Sequence, residues 1–226
     1  MVIRIGHRGA AGYEPENTLR GFERAVQLGA DMVELDVHIC ASGELVVIHD
    51  DTVDRTTDGS GRVGDMTLDE LKVLDVGDGE KVPTLDEVFS AMQGRAAVDV
   101  ELKGLGTAEP VYELVDGLVR HRKWGLSEIL VTSFDWGMLE EMRSLSDRIR
   151  LGPLIYKEPF RALRFAPEIR AHSVNPFHES VDAGYVREAH RLGLAVYPWT
   201  VNEAADIERV KGLGVDGVIS DYPGRV

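Results

Sequence analysis

The sequence predicts one (β/α)8 barrel, a TIM barrel with a small insertion after its second strand and no helix after its eighth. Three observations carry this. Eight short runs rich in Val, Ile and Leu alternate with helical patterns along 226 residues, and strict alternation implies parallel strands joined by helical crossovers. Eight such units close into a barrel rather than spread as an open doubly wound sheet. No G-x-G-x-x-G follows the first strand, which disfavours a dinucleotide-binding sheet. A single domain spanning residues 1–226 is expected.

The first run, residues 2–6, delivers His7 and Arg8 at its C-terminal end and opens into a glycine-rich loop, GAAGYEPEN. Asn17 reads as the N-cap of an amphipathic helix carrying Leu19, Phe22, Ala25 and Val26 on one face. The stretch MVELDVHICASGELVVIHD, residues 32–50, supplies the second strand and then, past a turn at Ser42-Gly43, a second apolar run that ends at His49. Residues 50–82 form the expected insertion. It begins as an irregular segment rich in Asp, Gly and Thr, then becomes a short helix over 67–74 with Thr67 as cap and Glu70 completing a capping box. A helix over 84–92 follows Pro83. From there strands over 97–102, 129–133, 150–155, 171–175, 195–200 and 217–220 alternate with helices over 108–121, 136–145, 159–165, 183–192 and 203–213. The closing DYPGRV leaves no room for an eighth helix. The apolar groove between the eighth and first strands therefore needs a cover, either a subunit interface in a homo-oligomer or an early loop.

A formal net charge of −14 argues against nucleic acid and against stable association with anionic membranes, because both need a basic surface. The single cysteine, Cys40, excludes an intrachain disulfide and reads as a small core residue. No run approaches about 18 uninterrupted apolar residues, and the N-terminus lacks a signal-peptide layout. A cytoplasmic location is the resulting expectation.

The second strand breaks its own pattern. Glu34 and Asp36 alternate with Val33, Leu35 and Val37, so the two acids share one face and the valines and leucine the other. An E-x-D alternation alone more often marks the wet face of an edge strand. The inversion recurs in AVDVELK, where Asp99, Glu101 and Lys103 alternate with Val98, Val100 and Leu102. Like charges held in an interior repel unless a cation answers them.

The active site of such a barrel lies at the C-terminal mouth of its strands. His7 and Arg8 end the first strand, Glu34 and Asp36 the second, Glu101 and Lys103 the third and Trp199 the seventh, while His49 begins the loop beyond the second. Singly, each has an ordinary meaning. His7 could be a hydrogen-bonded strand end, Lys103 a neutraliser of Asp99 or Glu101, and Trp199 core; His38 could compete as a ligand but has no second histidine at metal spacing. Jointly they point to chemistry. Glu34, Asp36 and Glu101 are hard oxygen ligands suited to one divalent cation, Mg²⁺ or Ca²⁺ rather than zinc. Arg8 and Lys103 would grip a phosphate, and His7 and His49 would serve as acid and base. The assembled reading is metal-assisted phosphodiester cleavage.

The runs HRGAAGYEPENT, ELDVHICASGELVVIHDDTVDRTTDGSGRV, TLDELKVLD, PTLDEV, VELK, YPWTVN and GVISDYP strongly resemble the glycerophosphodiester phosphodiesterases, in order and spacing, along essentially the whole chain. The resemblance implies that His7 and His49 are the acid/base pair. It makes Glu34, Asp36 and Glu101 the metal ligands, and Arg8 and Lys103 the phosphate contacts. It further implies a glycerol hydroxyl attacking phosphorus to give a cyclic phosphate that water opens, yielding glycerol 3-phosphate and an alcohol. A lysophospholipid phosphodiesterase of the D type is the near alternative, with Phe134, Trp136, Tyr156, Phe160 and Phe177 as an apolar ramp. A non-catalytic phosphate-binding barrel is the other, disfavoured because a binder needs no acid/base pair.

Overall fold

The computed structural model describes residues 1–226. In chain order its elements are β1 (Ile3–Gly6), α1 (Leu19–Gln27), β2 (Met32–Ile39), β3 (Leu45–Val47), α2 (Leu68–Val73), α3 (Leu85–Met92), β4 (Ala97–Leu102), α4 (Ala108–Arg120), β5 (Ile129–Ser133), α5 (Trp136–Leu145), β6 (Arg150–Ile155), α6 (Phe160–Phe165), β7 (Ser173–Pro176), α7 (Ala183–Arg191), β8 (Ala195–Val196), α8 (Ala204–Gly212) and β9 (Gly217–Ser220). All strands but β3 are parallel neighbours in the order β8-β7-β6-β5-β4-β2-β1-β9. Three backbone hydrogen bonds join the two ends of that series. Asp216 N donates to Val196 O at 3.1 Å, Ile219 N to Pro198 O at 3.0 Å, and Val201 N to Ile219 O at 2.9 Å. The result is an eight-stranded parallel barrel ringed by helices. β3 adds antiparallel to the end of β2, with Val37 opposite Val47.

Alternation along β2 divides its side chains between two environments. Val33, Leu35 and Val37 are fully buried in an apolar layer shared with Phe22 of α1 and Phe89 of α3. Glu34 and Asp36 point into the barrel, where β2 and β4 pair Glu34 with Asp99 and Asp36 with Glu101. Below them the interior is closed by Ile5, Met32, Leu130, Tyr197 and Ile219. The segment between β3 and α3 carries a small core of its own, with Val46, Ile48, Val53, Val63 and Leu71 buried together.

Five of the eight helices start where a polar side chain satisfies a first-turn N–H group. Thr67 and Thr84 form capping boxes with Glu70 and Glu87, and Asp135 and Asp182 cap α5 and α7. At α1 the cap is Thr18, whose hydroxyl accepts from Gly21 N at 3.0 Å, and not Asn17. Asn17 instead takes a left-handed backbone, φ 56°, and turns inward, 3% exposed. The seventh barrel strand also differs from expectation, since β8 stops at Val196 and not at residue 200. Pro198 has no N–H to donate toward β9, although contact with β7 runs on past it as Trp199 N donates to Pro176 O at 3.2 Å and Phe177 bridges Trp199.

The groove between β9 and β1 is covered by the chain itself. After β9 a 3₁₀ turn, Pro223–Arg225, buries Pro223, Val226 and Val2 pack against the apolar cluster that includes Val196, Val210, Val215 and Val218, and Lys211 Nζ donates to Val226 O at 3.1 Å. The loop after β1 meets the segment after β9, where the Tyr13 and Tyr222 rings pack edge to face at 5.2 Å. No helix is long and apolar enough to cross a membrane.

Candidate active site

Parallel pairing of β2 with β4 sets Asp36 beside Glu101, and the inward alternation of β2 adds Glu34. One carboxylate oxygen from each of the three lies within 4.8 Å of the others. Such proximity is costly. Burial pushes the Glu34 carboxyl well above the usual carboxylate range, and the charges of Asp36, Glu101 and Asp99 push the same way against the pull of Arg8. Burial and then Asp36 likewise raise Glu101, with Lys103 opposing. Asp99, one layer deeper, is raised by burial to about 7 even though Thr132 donates to it.

The donors around Asp36 answer only half of it. Its Oδ2 accepts from Asn17 Nδ2 at 2.9 Å and lies 3.3 Å from Arg8 Nε. Its Oδ1 is buried with no hydrogen-bond partner, the nearest cation being Lys103 Nζ at 3.9 Å. An unanswered buried oxygen facing two further carboxylates fits a hard divalent cation. Glu34, Asp36 and Glu101 are the residues that could hold one.

Both predicted histidines are oriented by an aspartate. His7 Nδ1 sits 2.6 Å from Asp221 Oδ1, and Asp221 is held by Asn202 Nδ2 at 2.6 Å on its other oxygen. Burial works upward on Asp221, but the His7 hydrogen bond and charge prevail and keep it below its ordinary value. His49 Nδ1 sits 2.6 Å from Asp50 Oδ1, while its Nε2 lies 3.0 Å from Lys103 Nζ. An ammonium can only donate, so Nε2 is the acceptor and Nδ1 carries the proton. Burial, with the charges of Arg8 and Lys103, lowers the His49 pKa against the pull of Asp36 and Asp50.

Arg8 adopts a left-handed backbone, φ 50°. This turns its N–H onto Glu34 Oε2 at 2.8 Å and its guanidinium onto Glu16 Oε1 at 2.8 Å. Lys103 Nζ lies 3.0 Å from Glu101 Oε1, as a close ion pair. His7, Arg8, Glu34, His49, Glu101, Lys103 and Trp199 line one cavity of about 120 Å³. Trp199 is fixed by Nε1–H donating to Asn175 O at 2.8 Å, and packs edge-on against Phe134 at 5.2 Å. A wider groove of about 490 Å³ adjoins the cavity through Phe134 and Leu154, lined also by Trp136, Tyr156, Lys157 and Arg161.

All eight residues singled out by sequence thus stand at one end of the barrel. His38 lies outside the carboxylate group, its Nε2 bonded to His49 O at 3.1 Å. Asp50, Asp221, Asn17 and Asn202 were not foreseen in these roles. Asp50 follows His49 directly, and that adjacency was the available signal; nothing local distinguishes Asp221.

Residues 7–225 match the model of the glycerophosphoryl diester phosphodiesterase family. The chain belongs to that family. Like other members of the glycerophosphoryl diester phosphodiesterase family it is a phosphoric diester hydrolase. It is 37% identical to a glycerophosphodiester phosphodiesterase of Caldanaerobacter subterraneus over 98% of this chain and 95% of that protein. It is 30% identical to a lysophospholipase D of Mus musculus over 97% of this chain and 83% of that protein. A phosphodiesterase of Oleispira antarctica, solved with the product sn-glycerol-3-phosphate, superposes with a TM-score of 0.89 at 29% identity, covering 98% of this chain and 93% of that one.

Proposed function

We propose that this chain hydrolyses glycerophosphodiesters to glycerol 3-phosphate and an alcohol by acid-base catalysis between His7 and His49, beside a divalent cation held by Glu34, Asp36 and Glu101. One observation carries the reading. Two histidines, each with Nδ1 tied to an aspartate, flank the cavity where three buried carboxylates converge and Asp36 Oδ1 has no partner. A cation there, Mg²⁺ or Ca²⁺, would neutralise developing negative charge on the phosphoryl oxygens.

The chain's own groups supply the remaining steps. Arg8 and Lys103 hold the phosphate and Trp199 bounds the pocket. His49, its pKa lowered chiefly by burial, takes the proton from a glycerol hydroxyl as that oxygen bonds to phosphorus. The bond from phosphorus to the head-group oxygen breaks, and His7 gives that oxygen a proton. A cyclic phosphate and a free alcohol result, and water then opens the ring with the two histidines exchanging roles. His7→Ala or His49→Ala should each reduce turnover by about 10²- to 10⁴-fold with the melting temperature little changed. Wild-type turnover in either variant would refute the roles. The cation has an independent readout: Mg²⁺ or Ca²⁺ should raise the melting temperature of the wild type and not of Glu34→Gln.

A second reading has its own support. Phe134 and Tyr156, 45% and 52% exposed, line the adjoining groove with Trp136, a surface that suits the acyl chain of a lysophospholipid. Turnover of glycerophosphocholine against its acylated form separates the two substrates.

A further inference from the structure

Within the segment inserted between β3 and α3, Arg55 reaches back toward the site. Arg55 makes four hydrogen bonds to two carboxylates. Its Nε donates to Asp50 Oδ2 at 2.7 Å and its Nη2 to Asp50 Oδ1 at 3.1 Å; Nη2 also donates to Glu16 Oε1 at 2.8 Å and Nη1 to Glu16 Oε2 at 2.9 Å. Each carboxylate has a second duty. Asp50 Oδ1 is the oxygen that binds His49 Nδ1, and Glu16 Oε1 is the oxygen that binds Arg8 Nη1.

We propose that Arg55 is a positioning residue that sets His49 and Arg8 at once, each through one intervening carboxylate. Arg55 is not among the residues that line the cavity, and its donors are committed to carboxylates, so it is not a phosphate contact. Its own place is fixed by the insertion. Val53 is fully buried in the small core there, Val53 N donates to Gly61 O at 3.0 Å, and Thr57 Oγ1 donates to Val53 O at 2.8 Å. Only a planar guanidinium can serve two carboxylates in this way, because a lysine ammonium is a single point charge. Without it, Glu16 and Asp50 would be left as like charges meeting at one point. The insertion thereby acquires a purpose, which is to lock the loop after β1 and the loop after β3 into one register.

The proposal rests on the reading of His49 and Arg8 given above, and the test separates the two. Arg55→Ala should lower kcat by about ten- to a hundred-fold, as small misplacements of reacting groups do, and change KM less. Arg55→Lys should fall between it and the wild type. Guanidinium at millimolar concentration should restore part of the kcat of Arg55→Ala and none in the double variant Arg55→Ala/Asp50→Asn. Losses in that double variant should be less than multiplicative. Arg62→Ala, which removes an exposed ion pair to Asp51 in the same segment, should leave turnover unchanged. Wild-type kcat in Arg55→Ala, multiplicative losses, or an activity loss that guanidinium does not relieve and that only tracks a fallen melting temperature would overturn the proposal. If His49→Ala itself keeps full turnover, it is the underlying reading of the site that fails.

Discussion

Asp99→Asn isolates the electrostatic cost of the barrel interior. Asp99 is fully buried. Its Oδ1 accepts from Thr132 Oγ1 at 2.9 Å, and its Oδ2 has no partner. Asparagine keeps the acceptor and removes the charge. In the folded protein Asp99 titrates at about 7, against 3.8 for the free group. Between those values the folded state retains a proton that the unfolded chain has released, so this group makes stability fall as pH rises and then level off above about 7. Asparagine has no such dependence. At 1.36 kcal/mol per unit, the advantage of the variant should be under about 1 kcal/mol at about pH 4, about 2 at about pH 5.5 and about 4 at about pH 8. Urea unfolding with a chelator present, at those three pH values, measures it. A gap that does not change with pH, or a variant less stable than wild type at about pH 8, would refute the account of three repelling acids and a fourth paired beside Glu34.

Three other perturbations test separate parts of the structure. The Tyr185 hydroxyl is buried without a partner, and burial raises its pKa; Tyr185→Phe should therefore be neutral or stabilise by about 1 kcal/mol, and a clear loss in thermal melting would contradict that geometry. Burial raises the Glu16 carboxyl but its bonds to Arg55 and Arg8 win, bringing it down to about 2. Its contribution should be present above about pH 4.5 and lost as pH falls toward about 2, so Glu16→Gln should narrow its deficit across acid titration; a constant deficit would show that the ion pairs are not its source. Gly152 lies where a methyl group would strike Ser173 Oγ and approach Asn175 Oδ1 to 2.9 Å. Gly152→Ala should cost about 1–3 kcal/mol in urea unfolding, and unchanged stability would mean that this layer is loosely packed.

Much of the architecture was readable from local pattern, because a parallel strand covered by helices is apolar along its length and its exceptions stand out. Glu34, Asp36 and Glu101 were visible for that reason, and register between β2 and β4 then brought them together. What escaped were features decided by a distant partner. Asn17 and Thr18 are both good caps, and only the pull of Asp36 on the Asn17 amide decides between them. The expected strand over 195–200 is regular only to Val196, after which single bonds such as Trp199 N to Pro176 O carry the pairing on, and an apolar run does not reveal where regular pairing gives way. Arg55 lay in a stretch whose composition reads as loop, and its role appears only when Glu16, 39 positions earlier, is seen beside it.

The hydrogen bond between His7 and Asp221 spans 214 positions. Glu34, Asp36, Glu101, His49 and Lys103 all lie in the first half of the chain, so a ribosome-bound fragment could already carry them. The aspartate that aims His7 directly follows β9, and the Asn202 that steadies it lies between β8 and α8. A fragment cut before β9 would therefore keep the carboxylates and His49 but lose the partner that orients His7.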